Sequence, residues 1–194
     1  MFKKKNLIKI ILSLIVIAAF FWVKSYFYDY KINHNLKVIS EGKVYKSGVI
    51  PTDQIEDYVK EYKIKSIIDL RFPGTGDEVN NPEIPAELTA EKEAVEKLEG
   101  VTYFNLGTDQ VPTQETVDKF LEIMDEPSNY PVLVHCYHGV GRAQLFSAIY
   151  RMEYEGWSNQ EAREQTRVLL KGSSFDEGKP KGDYLINYQP RPKK

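Results

Sequence analysis

Hydrophobic positions along this chain change their spacing several times, and each change marks a predicted element. Ile10 to Val23 is an apolar run interrupted only by Ser13. It has no polar face, which argues against a core helix of a globular domain. Two strand-like stretches follow, Leu36 to Ile39 and Lys43 to Ser47, parted by the turn residues Glu41 and Gly42. Pro51 to Tyr62 reads as a helix, because Ile55, Val59 and Tyr62 recur at spacings of four and three. Ser66 to Leu70 is a compact buried strand. Phe72 to Pro85 holds three prolines and two glycines and predicts a loop, followed by a helix from Ala86 to Glu99 and a strand from Val101 to Leu106. After a second loop, Gly107 to Pro112, the residues Val117, Phe120, Leu121 and Met124 place an amphipathic helix over Thr113 to Asp125. Pro131 to His135 is a short strand ending directly at Cys136. Leu145, Phe146, Ile149 and Met152 mark one more helix, and Ser158 to Leu170 another. The Gly, Pro and Lys content of Gly172 to Lys194 predicts an irregular surface tail.

Strands alternating with helices of this length predict an α/β fold, a central mostly parallel sheet flanked by helices, preceded by one N-terminal transmembrane helix. The division that follows is 1–24 as membrane anchor or signal segment, 25–37 as juxtamembrane linker, 38–171 as the globular domain and 172–194 as tail. A chain of 194 residues leaves room for one core.

The N-terminal run follows Lys3, Lys4, Lys5 and Lys9 and precedes Lys24. With Leu7 and Ile8 included and Lys9 reaching toward the headgroups, it approaches the ~17 to 25 residues of a spanning helix. A secretory signal has the same outline, but Ala18-Ala19 runs straight into Phe20-Phe21-Trp22, and only Val23-Lys24-Ser25 offers a cleavage site. An uncleaved single-pass anchor is the favoured reading. The basic N-terminus then lies inside and the globular domain outside the cytoplasm.

Charge narrows the partners. Seven of the 26 basic residues precede residue 38, against one acid, Asp29, so the remaining chain carries 19 basic and 27 acidic residues. That balance excludes a broad nucleic-acid footprint, and an anionic substrate has to be held locally. One cysteine allows neither an internal disulfide nor a metal cage of paired cysteines.

The local site lies at His135-Cys136-Tyr137-His138-Gly139-Val140-Gly141-Arg142. Backbone N–H groups presented by a tight loop at a helix start bind tetrahedral oxyanions. Gly139 and Gly141 permit the conformations such a loop needs. The same N–H groups and helix dipole favour thiolate at Cys136, and the Arg142 fork binds two phosphate oxygens together. His135 reads as structural. His138 faces either substrate or solvent, and Arg71 either orients the site or neutralises a nearby acid.

A cysteine and an arginine separated by five residues, with His135 before the cysteine, resemble the protein tyrosine and dual-specificity phosphatase superfamily in its small dual-specificity type. Val44-Tyr45-Lys46-Ser47-Gly48 and Ser66-Ile67-Ile68-Asp69-Leu70-Arg71 resemble further stretches of bacterial and fungal members. The resemblance spans about Val38 to Leu170. It implies a phosphocysteine on Cys136, with Arg142 and the phosphate-binding loop Tyr137, His138, Gly139, Val140 and Gly141 holding the phosphoryl group, and neither metal nor cofactor. It also implies a general acid, for which Asp109 occupies the expected loop. The residue after the arginine departs from the family's Ser or Thr: Ala143 supplies no hydroxyl to help the thiolate leave. The implied substrate is a phosphotyrosine or phosphoserine/threonine protein, or a small phosphomonoester. Inositol polyphosphates remain open as an alternative substrate, although the loop has no lysine to grip extra phosphates, which favours phosphoproteins or a general monoester activity. A rhodanese-like sulfurtransferase and a weakly catalytic phosphate-binding module remain as rivals, and oligomeric state is left open.

Overall fold

A computed structural model describes residues 4–72, 81–82, 84–166 and 172–192. Its sheet is built by burial at period two. In β3 (Ser66–Asp69) all four residues are buried, and neighbouring Ile67 and Ile68 enter separate apolar clusters on the two faces. The same alternation separates Tyr45 from Val44 in β2 (Val44–Ser47), and Leu133 from Val132 and Val134 in β5 (Val132–His135). With β1 (Lys37–Ser40) and β4 (Thr102–Asn105) they form a five-stranded sheet of order β1-β2-β5-β3-β4. The β1–β2 pair is antiparallel and the other pairs are parallel.

One face is covered by α2 (Ile55–Tyr62) and α3 (Pro85–Glu96), through Ile55 and Val95. The other carries α4 (Gln114–Asp125), α5 (Arg142–Tyr150), α6 (Asn159–Thr166) and α7 (Pro180–Asn187). The four apolar residues predicted for α4 are all buried, and Thr113 caps it by accepting from the N–H of Thr116. Between these layers β5 is central, with Ser47, His135 and Asp69 in register at the ends of three parallel strands. Ligands of open α/β sheets gather at such strand ends.

Several expectations are corrected. No helix among the described residues is long and apolar enough to cross a membrane, so the single-pass anchor does not stand, and neither does the extracytoplasmic placement built on it. The charge-free run between Lys9 and Lys24 has 14 residues. At 1.5 Å per residue it reaches about 21 Å, against the ~30 Å of a hydrocarbon core. Counting Leu7 and Ile8 put the Lys9 charge inside the span. Helix α1 (Lys4–Lys31) also continues through most of the expected linker. The expected tail is not irregular: Pro180 begins α7, and its Leu185 is fully buried. Much of the expected 72–85 loop and the end of the 158–170 helix lie outside the described residues.

Candidate active site

Cys136 follows β5 directly, is 2% exposed, and opens a loop that ends at Gly141 where α5 begins. Three consecutive loop carbonyls are held from behind. The Val49 N–H donates to the Tyr137 carbonyl at 3.1 Å, the Asn35 side-chain amide to that of His138 at 2.8 Å, and the Lys46 ammonium to that of Gly139 at 2.8 Å. In a trans peptide the N–H points opposite to the carbonyl. The N–H groups of His138, Gly139 and Val140 are therefore turned away from those donors.

Gly139 has φ +74°, and a Cβ there would lie 2.4 Å from the Gly48 nitrogen and 2.5 Å from the Ser47 carbonyl carbon. Only glycine lets the loop lie this close against the end of β2.

Arg142, the first residue of α5, is 2% exposed and lines a cavity of about 150 Å³ together with Cys136, His138, Val140 and Gly141. Its Nη1 donates to the carbonyls of Leu70 at 2.8 Å and Thr108 at 3.1 Å. These bonds tie the guanidinium to the end of β3 and to the loop after β4. Asp109 stands next on that loop, exposed and outside the cavity lining, between Thr108, which holds Arg142, and Gln110, which lines the cavity. The loop, Cys136 and Arg142 are thus brought together, with Asp109 at their edge.

Lys181 of α7 is a residue that sequence reasoning missed. It lines the same cavity, and its ammonium donates to Gln110 Oε1 at 2.8 Å. Both atoms lie about 3.3 Å from where a Cβ on Gly141 would stand, Gln110 Oε1 at 3.2 Å and Lys181 Nζ at 3.3 Å.

Behind the loop, on the sheet face covered by α3, lies a buried ionic cluster. Arg71 is bidentate to Asp69, Nε to Oδ1 at 2.9 Å and Nη2 to Oδ2 at 2.8 Å, and Nη2 also donates to Glu91. His135 Nε2 lies 2.8 Å from Glu91 Oε1, and the Tyr103 hydroxyl donates to Asp69 at 2.7 Å. Burial opposes the charged imidazole, but Glu91 and Asp69 outweigh it and raise the His135 pKa. Burial likewise opposes the Asp69 carboxylate, and His135, Arg71 and Tyr103 overcome it, so its pKa is lowered. Arg71 thus neutralises acids, one of the two roles left open for it. Asp69, Glu91 and His135 bring possible ligand atoms within 4.8 Å of one another. Arg71 already occupies both carboxylates, so a cation would have to displace a guanidinium. Glu91 also escaped the sequence reading, although its position, three after Leu88 and four before Val95 on the buried face of α3, was a visible signal.

The family described as DSP-PTPase phosphatase fused to NAD+ Kinase matches residues 13–179. The chain belongs to this DSP-PTPase family. It is a small dual-specificity-type member of the tyrosine phosphatase superfamily, a family of phosphatase enzymes. The curated dual specificity protein phosphatase TpbA of Pseudomonas aeruginosa is 37% identical over 69 residues, 36% of this chain and 30% of the relative. The match spans less than a third of that relative's length. Among solved structures, the catalytic domain of the PP-IP phosphatase Siw14 from S. cerevisiae superposes with a TM-score of 0.58 at 20% identity, covering 80% of this chain and 86% of that one. P. aeruginosa TpbA gives 0.54 at 18% identity over 79% and 84%. At these identities the superpositions establish the DSP-PTPase fold.

Proposed function

We propose that this chain hydrolyses phosphate monoesters through a phosphocysteine on Cys136. The observation that carries the reading is one cavity lined by Cys136 and Arg142 at the end of the central parallel strand, with the loop carbonyls tied back from it. In the first step the Cys136 thiolate attacks phosphorus, an S–P bond forms and the ester P–O bond breaks. Asp109 gives its proton to the departing oxygen. In the second step water attacks the same phosphorus, Asp109 takes a proton from it, and the S–P bond breaks to return thiolate and release inorganic phosphate. Arg142 and the loop N–H groups bind the equatorial oxygens throughout, where charge gathers in the transition state. Holding Arg142 through Leu70 and Thr108 orients its fork before substrate arrives.

Phosphotyrosine or phosphoserine/threonine proteins are the first substrate class; a TpbA structure with bound pTyr shares this fold. A second reading, a small polyphosphorylated substrate such as an inositol phosphate, gains from Lys181. The loop itself lacks a lysine, but α7 supplies one to the same cavity, and Siw14 is described as a PP-IP phosphatase.

The test is phosphate release from p-nitrophenyl phosphate by the full chain, abolished in Cys136→Ser. Asp109→Asn should spare activated p-nitrophenyl phosphate more than an alkyl phosphate, whose leaving oxygen needs the proton. Sulfur transfer from thiosulfate to cyanide without phosphate release would install the rhodanese-like reading, and phosphate binding with neither turnover the binding module. Lys181→Met lowering kcat/KM on phytate but not on a phosphotyrosine peptide would select the second substrate class; equal rates on both keep the first.

A further inference from the structure

Lys46 takes no part in the bond-making and proton-transfer steps proposed above, where it only holds the Gly139 carbonyl. It stands on β2, 5% exposed, on the sheet face opposite the Asp69–Glu91 cluster, since it shares its side of the strand with Val44. Lysines are rarely buried this deeply, and its ammonium donates to a neutral backbone carbonyl, that of Gly139, at 2.8 Å. The groups acting on it are Cys136 at the end of β5, Lys37 on β1 and Arg151 in the turn after α5. Of these three, the two cations oppose its charge and only the sulfur of Cys136 supports it. That support is mutual: whatever a thiolate does for the ammonium, the ammonium does for the thiolate.

Geometry makes the contact specific. The Gly139 carbonyl and the Val140 N–H belong to one peptide plane, so fixing the first fixes the second. Gly139 is also the residue with positive φ, the point at which the loop has most freedom to flip. A carbonyl bound to a full positive charge is held harder than one bound to a neutral donor, because charge-assisted bonds are about twice as strong.

We propose that Lys46 is a positioning residue for the phosphate-binding loop, holding the Gly139–Val140 peptide with its N–H turned to the phosphoryl group and supplying positive charge behind Cys136. The inference rests on the reading of Cys136 as nucleophile. Burial, partly offset by Cys136 and reinforced by Lys37 and Arg151, brings the Lys46 pKa down to about 8. The charge is therefore present at neutral pH and lost in mildly alkaline solution, where activity should decline.

The experiment compares the full-length wild type with Lys46→Met and Lys46→Arg. Alkylation of Cys136 by neutral iodoacetamide is followed against pH, and kcat and KM for p-nitrophenyl phosphate are measured in parallel. In Lys46→Met the alkylation of Cys136 at neutral pH should slow and kcat/KM fall roughly tenfold, most of it in kcat. In Lys46→Arg, whose charge does not titrate, the alkaline decline of the wild type should disappear. A Lys46→Met alkylation curve that superimposes on the wild type overturns the proposal. So does a Lys46→Arg profile that keeps the alkaline decline, a comparison that decides alone if the methionine variant does not fold. Absence of phosphate release in the wild type would instead refute the phosphatase reading, while alkylation still tests Lys46.

Discussion

Replacing Glu91 by Gln removes one negative charge from a buried set of four, Asp69 and Glu91 against Arg71 and His135. The side chain keeps its size and can still accept a hydrogen bond, so the change isolates charge. Breaking a buried pair by removing one partner costs about 3–5 kcal/mol, and an amide that still accepts puts the expectation at the low end, about 3 kcal/mol. Part of that penalty depends on the imidazolium. The folded pKa of His135 is raised, so its stabilising contribution is complete below the unfolded value of about 6.5 and is lost as pH rises through the folded value. Glu91→Gln should therefore cost about 3 kcal/mol at about pH 5.5, and measurably less at about pH 9. Urea unfolding of both proteins at the two pH values measures this, provided the denaturant slope is unchanged. A penalty under about 1 kcal/mol, or an equal penalty at both, would refute the ionic linkage of α3 to the strand that leads into Cys136.

Gly139→Ala should destabilise by about 2–4 kcal/mol, the sum of a left-handed backbone cost and of overpacking against the end of β2, and should reduce phosphate release more than a stability-matched core variant does. Denaturation and turnover on the same sample check both. Ala143→Ser should raise steady-state turnover toward the single-turnover rate, because the resemblance implies that a hydroxyl directly after the arginine helps the thiolate leave; stopped-flow bursts compared before and after the change decide it. On the acid side, the lowered Asp69 pKa contributes stability that is complete above the ordinary carboxylate range and is lost as pH falls through the lowered folded value. Asp69→Asn should accordingly cost most at neutral pH and progressively less in acid, as read by urea midpoints.

Elements whose signals are local were legible from the chain itself. The face Val117, Phe120, Leu121 and Met124, the run from Val132 to His135 and the glycines beside Cys136 each carry their pattern within one or two turns. What was not legible depends on residues brought together across the fold. Lys46 and Gly139 lie 93 positions apart, and nothing around Lys46 marks it as buried except its place on a strand whose neighbours are. Lys181 was hidden by the Gly, Pro and Lys content of its surroundings, although Pro180 at a helix start with Leu185 and Tyr188 three apart was a helix signal. Glu91 drew no notice in the sequence, because a carboxylate on an apolar helix face is explained only by Arg71 and His135 arriving from two strands. The N-terminal run shows the opposite error, in which a composition suited to a membrane outweighed a length that is not.

Rapid quenching of a single turnover, followed by mass analysis of the peptide that carries Cys136, reaches the chemistry itself. A phosphoryl adduct on the sulfur, forming before inorganic phosphate appears and absent from Cys136→Ser, is the expected result. Phosphate release with no adduct, or with the adduct on another residue, would contradict it.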